Sequence, residues 1–390
     1  MGELRRIRYI LAHQVHRVVK VLQIDAFLQM ETINNISLLL VALVSFSCST
    51  YDEYEFFNFD VVEVDDIPAE KLDVRYVWKS TYPLDMCSIE NGYLISYHPQ
   101  NEHMFVATEL NTGQLAGSFC RRGRSHEEMI MSIPISDSFI RGSEFHAWLF
   151  SIPDKKLVNW NISKSIKMGI QQYDEIVNLV GRKNESLPFL SVHPLDSAHI
   201  VGYNSGQYSE RVYMTPAYEI YEVESGVIKD TIKLFNKIEL RTGDDVYRSR
   251  VFLSVQDCMK PDNSRLACGM FYMPVFNIID PHTKQVHGIR IKGTKSFSAK
   301  NRIVHYMDMA ANDDFICALY CGEKLKGKGD YPDYLYLIDW EGKPLHKYIL
   351  PVGTTSIEID GNNLYLLNFH TGDIYCVELG GDSIVTRGET

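Results

Sequence analysis

Six titratable residues stand at matching places along the chain: Asp85, Asp137, His193, Asp257, Asp308 and Glu358, each roughly six to nine residues ahead of a short hydrophobic strand. Carboxyl groups gathered in a poorly solvated place raise one another's pKa, and several of their oxygens converging on one point hold a hard cation such as Ca²⁺. An aspartate at a strand end serves equally well as an acceptor for turn amides. The sequence leaves both readings open.

Other chemistry-bearing groups are more scattered. Arg121, Arg122 and Arg124, in "RRGR" facing Glu127 and Glu128, suit an anionic sugar or carboxylate through guanidinium pairs, or pair with those glutamates across a structural junction. Lys326 and Lys328 lie in a basic, Gly-rich insertion, "GEKLKGKGDYPD", which reads as a rim loop placed to contact a ligand. It lacks the G-x-x-x-x-G-K-[ST] order of a phosphate-binding loop. His98 with His103, and His282 with His287, flank turns and have no acidic partner at metal-ligand spacing. No G-x-S-x-G nucleophile turn is present. Cys317 and Cys321 share one face of a strand and read as small buried side chains.

The elements that would position these groups repeat. "FVATELNTGQLAGSF", "LVNWNISKSIKMGI", "YEIYEVESGVIKDTI", "FNIIDPHTKQVHGIRI", "LYLIDWEGKPLHKYIL" and "IYCVELGGDSIVT" are each a strand, a polar turn and a second strand. A short hydrophobic strand precedes every copy, and one more strand-like piece, from "LDMCSIE" to "SIEID", precedes that. The spacing of about 50 residues is that of propeller blades and far from helical solenoids. The expected fold is therefore all-β, a six-bladed β-propeller of four-stranded blades over residues 73–390. "DVRYVWKS", with Val74, Tyr76 and Trp78 alternating, is expected to close the ring beside Ile374–Leu379; Ser383–Thr386 is the alternative. In such a ring the six titratable residues line the central channel.

The composition agrees. The chain has 390 residues, 45% hydrophobic and 12% aromatic, enough for a large core. A formal charge of −11 argues against nucleic acid, which demands a basic footprint. Eight scattered cysteines without a CxxC pair do not suggest a disulfide scaffold.

Near the N-terminus, Ser37–Phe46 is an apolar run too short to span a bilayer but suited to a signal-peptide core. Ser45-Phe46-Ser47-Cys48 resembles a bacterial lipobox, which makes Cys48 the expected site of lipid attachment. Residues 1–47 then form an upstream extension plus signal peptide, with Met1 and Met30 as alternative starts, and 48–72 form an acidic, aromatic tether.

"YLYLIDWEGKPLHKYIL" followed by "SIEIDGNNLYLL", together with "FCRRGRSHEEM", resembles the TolB-like six-bladed propeller lipoproteins of Bacteroidota. The resemblance implies an outer-membrane lipoprotein of the cell envelope, on its periplasmic or surface face. The expected role is a binding platform for an envelope protein, peptide or glycan, without catalysis. The alternative is a propeller hydrolase or lyase with a metal, Ca²⁺ being the candidate cofactor, in the channel.

Overall fold

In the computed structural model the six repeats belong to one compact unit, residues 56–390. The structure describes residues 57–81, 84, 86–178, 189–204, 216–236, 254–297, 302–325 and 331–379. Cys48, Asp85, Lys326 and Lys328 lie outside them.

Three strands come first: β1 (Val61–Val64), β2 (Ala69–Lys71) and β3 (Arg75–Lys79). The repeats follow as six antiparallel sheets. Blade one is β4 (Cys87–Glu90), β5 (Tyr93–Tyr97), β6 (His103–Glu109) and β7 (Leu115–Arg121). Blade two is β8 (Ser138–Arg141), β9 (Glu144–Ser151), β10 (Lys156–Asn161) and, after helix α1 (Ile162–Met168), β11 (Tyr173–Asn178). Blade three is β12 (Phe189–Pro194), β13 (His199–Asn204), β14 (Ala217–Glu222) and β15 (Val227–Lys233). Blade four is β16 (Val255–Met259), β17 (Leu266–Met270), β18 (Phe276–Asp280) and β19 (Gln285–Ile291). Blade five is β20 (Val304–Ala311), β21 (Phe315–Glu323), β22 (Tyr334–Asp339) and β23 (Pro344–Ile349). Blade six is β24 (Ser356–Asp360), β25 (Asn363–Leu367) and β26 (Asp373–Glu378).

The middle strands of each blade are apolar on both faces because a neighbouring blade packs on each side. In β9, Ala147 and Leu149 join Val158 and Trp160 against blade one, while Trp148 and Phe150 meet Phe189 and Val192 of blade three. The first and last blades are sealed in the same way: Leu84, Ile89, Leu94 and Leu110 share a core with Tyr365, Leu367, Ile374 and Cys376.

Ring closure follows the expected route. β3 pairs antiparallel with β26, Trp78 opposite Ile374 and Tyr76 opposite Tyr375, so the fourth strand of blade six comes from the N-terminal side. The expected tether, in contrast, is partly built into the ring. β1 adds in parallel to β19 and β2 adds in parallel to β23, and Phe57 bridges to Phe235 at the end of blade three. Asp66 secures this strap by accepting from Tyr336 Oη at 3.1 Å and from Lys347 Nζ at 2.6 Å.

Two turns show how sequence sets register. Asn91 and Gly92, both at positive φ (48° and 78°), join β4 to β5 in a two-residue hairpin loop, where side-chain-free or amide residues tolerate that geometry. Between β22 and β23, Asp339 Oδ1 accepts from Glu341 N and Lys343 N at 3.1 and 2.7 Å. There Gly342 sits at φ 90° against Ile289 of blade four, with no room for a Cβ. Trp340 is buried beside it and donates to Asn312 O at 3.0 Å.

The hairpin expected over Leu157–Ile170 is replaced by α1. Asn161 caps the helix by accepting from Lys164 N at 2.9 Å, and Gly169 ends it in the left-handed conformation. The strand partner of β10 comes later, at Tyr173–Asn178. Among the described residues no helix is long and apolar enough to cross a membrane.

Candidate functional site

The first strand of each blade runs along the channel, where a cavity of about 610 Å³ is lined by all six blades. Of the titratable residues expected there, Asp137, Asp257, Asp308 and Glu358 line it directly, as do Glu90 and Asp360.

One group is organised by a buried histidine. His193 is fully buried, with Nδ1 against Asp137 Oδ2 and Nε2 3.3 Å from Asp257 Oδ2. Burial alone would drive its proton off, but the carboxylates of Asp257 and Asp137 hold the imidazole in its charged form, with a pKa of about 10. Burial also works against charge on Asp257. His193 overcomes that, aided by Ser191 Oγ at 2.6 Å and Tyr218 Oη at 2.7 Å, and keeps the carboxyl below its usual range. Asp137 is shifted upward by burial, with His193 opposing, and accepts from Met259 N at 2.8 Å. Blades two, three and four are thus tied by one cation and two acids.

The second group has no cation among the described residues. Burial lifts Glu90 to a pKa of about 7 although Ser138 and Ser88 donate to it. Asp308 is lifted by burial to about 6, against donation from Ser356 Oγ at 2.5 Å and Ile357 N at 2.9 Å. Glu358 is raised further, by burial first and then by the charges of Asp308, Glu90 and Asp137. Asp360 accepts from Gly92 N at 2.7 Å. These contacts cross from blade one to two, five to six and six to one, so each acid also serves as a staple between blades.

Among the described residues no group of three or more His, Cys, Asp or Glu side chains is arranged to hold a metal ion. The described oxygens are directed at serine hydroxyls, backbone amides and His193.

At the rim, Arg121 pairs with Glu102 at 3.2 Å and Glu128 at 3.7 Å. Among the described residues Arg122 donates from its guanidinium to Gln100 O, at 3.3 Å, and neither it nor Arg124 has an ion pair. The loop beneath is held by Lys156, whose ammonium donates to the carbonyls of Ser125, His126 and Glu128.

Glu90 and Asp360 were within reach of sequence reasoning. If the blades are matched by their first turns, "ENG" and "DGN", these two acids fall level and Glu358 falls level with Ser88. Matching by distance to the next strand selects Asp85 instead.

Fold and channel together define a six-bladed β-propeller with an acid-lined central cavity. No family model matches the chain, and no curated protein does. Among solved structures it is similar to a member of the DUF4221 family from Bacteroides vulgatus ATCC 8482, with a TM-score of 0.52 at 12% identity, covering 80% of this chain and 97% of that one. It is also similar to a Bacteroides fragilis NCTC 9343 protein carrying a provisional description as exported, with a TM-score of 0.48 at 11% identity over 81% and 98% of the two chains. At such identities the likeness speaks for the fold alone.

Proposed function

We propose that the chain is a lipid-anchored protein of the cell envelope, of the TolB-like propeller kind, whose channel mouth and rim form a binding platform for a protein, peptide or glycan. The observation that carries this reading is the division of labour in the channel. Its acids are engaged in holding neighbouring blades together, while exposed apolar side chains, Met86, Ile140 and Leu190, line the same cavity. Large apolar groups left in water around a cavity are the usual mark of a recognition surface. The anchor rests on Cys48 and the apolar run before it.

A photo-crosslinking residue placed at Leu190 in the full chain, followed by recovery from envelopes with Cys48 intact or replaced by Ala, tests address and partner together. The expected result is one discrete crosslinked species, obtained with Cys48 and lost with C48A as the protein leaves the membrane fraction. Equal membrane association of both forms would remove the anchor. A crosslink pattern no different from that of a label at exposed Val62 on the strap would remove the platform.

A further inference from the structure

We infer that the channel cavity takes an organic cation, an alkylammonium or guanidinium group carried on an apolar body. This deepens the binding reading and rests on it. Three features of different kinds coincide in the cavity. Its volume of about 610 Å³ suits a small molecule or a single long side chain. Exposed apolar side chains from three segments line it, Met86, Ile140 and Leu190 at 44%, 64% and 41% exposure. Its interior carries acids that lack a counter-charge among the described residues: Glu90, Asp308, Glu358 and Asp360. Lys260 is the sole basic lining residue described, and its ammonium is turned to Asp262 at 3.0 Å.

Charge complementarity selects the ligand. Without a cation, Glu90 and Glu358 retain protons well above the ordinary carboxyl range, because ionising neighbours in a poorly solvated place is unfavourable. A bound ammonium or guanidinium donates hydrogen bonds and accepts none, so it favours the charged carboxylates and its entry expels a proton from this pair. An aquated metal ion fits less well. It gains nothing from the apolar lining residues, and no described group of side chains is arranged to coordinate it. An anion meets the acids and a single lysine that already faces Asp262.

The test uses the full chain and three isosteric probes, n-hexylammonium, 1-hexanol and hexanoate, with acetyl-Leu-Lys-amide as a fourth that presents the same ammonium from a peptide. Calorimetry is run at pH 6 and pH 8 in buffers of differing ionisation enthalpy, and the methyl signal of Met86 is followed by NMR. Hexylammonium should bind about tenfold or more tightly than hexanol, as expected for a charged hydrogen-bond donor. It should release protons and bind more tightly at pH 8, while hexanoate stays free. E90Q/E358Q should abolish the preference over hexanol. I140S/L190S should weaken both probes and keep the preference, which controls for loss of fold. Tighter binding of the peptide than of the free amine would assign the cation to a protein partner, and the reverse to a small metabolite. Equal affinity for hexylammonium and hexanol, or an unchanged preference in E90Q/E358Q, overturns the cation. If hexanol or hexanoate then still shifts Met86, the binding site itself survives. If no probe binds, the cation falls and the crosslink at Leu190 decides the platform separately.

Discussion

Two sets of acids share one channel, one with a buried counter-charge and one without. Asp137 and Asp257 flank a buried imidazolium, and Asp257 is held in its charged form. Glu90, Asp308 and Glu358 have the same kinds of hydrogen-bond donors, serines and backbone amides, yet are pushed toward protonation. Hydrogen bonds from neutral donors alone therefore do not offset burial here, whereas one buried positive charge does so at Asp257, though not at Asp137. The first set is a closed ionic unit within the ring. The second is a store of unbalanced negative charge that a ligand or a proton must answer.

The largest expected effect comes from removing the cation. H193A leaves two buried carboxyl groups without their counter-charge, which should cost about 3 to 5 kcal/mol in urea unfolding at pH 7. A cost no greater than that of a surface substitution would break the distinction between the sets. The sign with pH follows from the raised pKa of His193: its contribution is complete below about pH 6.5, the ordinary histidine value, and is lost as pH rises through about 10.

Next comes the unbalanced set. Glu90 is raised from 4.5 to about 7, so stability is fully present below pH 4.5 and falls as pH rises through 7. The loss from this one group is on the order of 3 kcal/mol. E90Q/E358Q should flatten the fall between pH 5 and 8 and raise the melting temperature at pH 8 relative to the unsubstituted chain. An identical pH profile in the two proteins would show that these acids ionise freely. The smallest effect is expected outside the channel. R122A/R124A should change unfolding free energy by less than about 0.5 kcal/mol, since neither guanidinium has an ion pair among the described residues; a larger loss would extend the stapling role from channel to rim.

How much of this was legible beforehand depends on the range of the interactions involved. Strands such as Tyr334–Asp339 and Phe276–Asp280, and turns such as Asn91-Gly92, are set by neighbours in sequence, and the ring with its closing strand follows from them. Part of the ring of acids was visible too, because Asp137, His193, Asp257, Asp308 and Glu358 occupy first strands or their approaches. Their partners were not visible. Ser138 on Glu90, Ser356 on Asp308 and Tyr218 on Asp257 meet only after blades pack side by side. The strap was hidden for a different reason: β1 and β2 add as mostly exposed edge strands, Val61–Val64 and Ala69–Lys71, and carry no apolar alternation to betray them. In α1, the capping side chain of Asn161 and the left-handed Gly169 were readable signals that the repeat pattern outweighed.

The closing strand carries a consequence for the order of assembly. β3 is synthesised before any blade, yet its partner β26 belongs to the last one. During synthesis β3 must wait with its ladder groups unpaired while five blades form, and a waiting strand edge is a template for pairing with other chains. The same device that makes the finished ring hard to open makes the unfinished chain prone to misassembly, and its exposure lasts until residues 373–378 emerge.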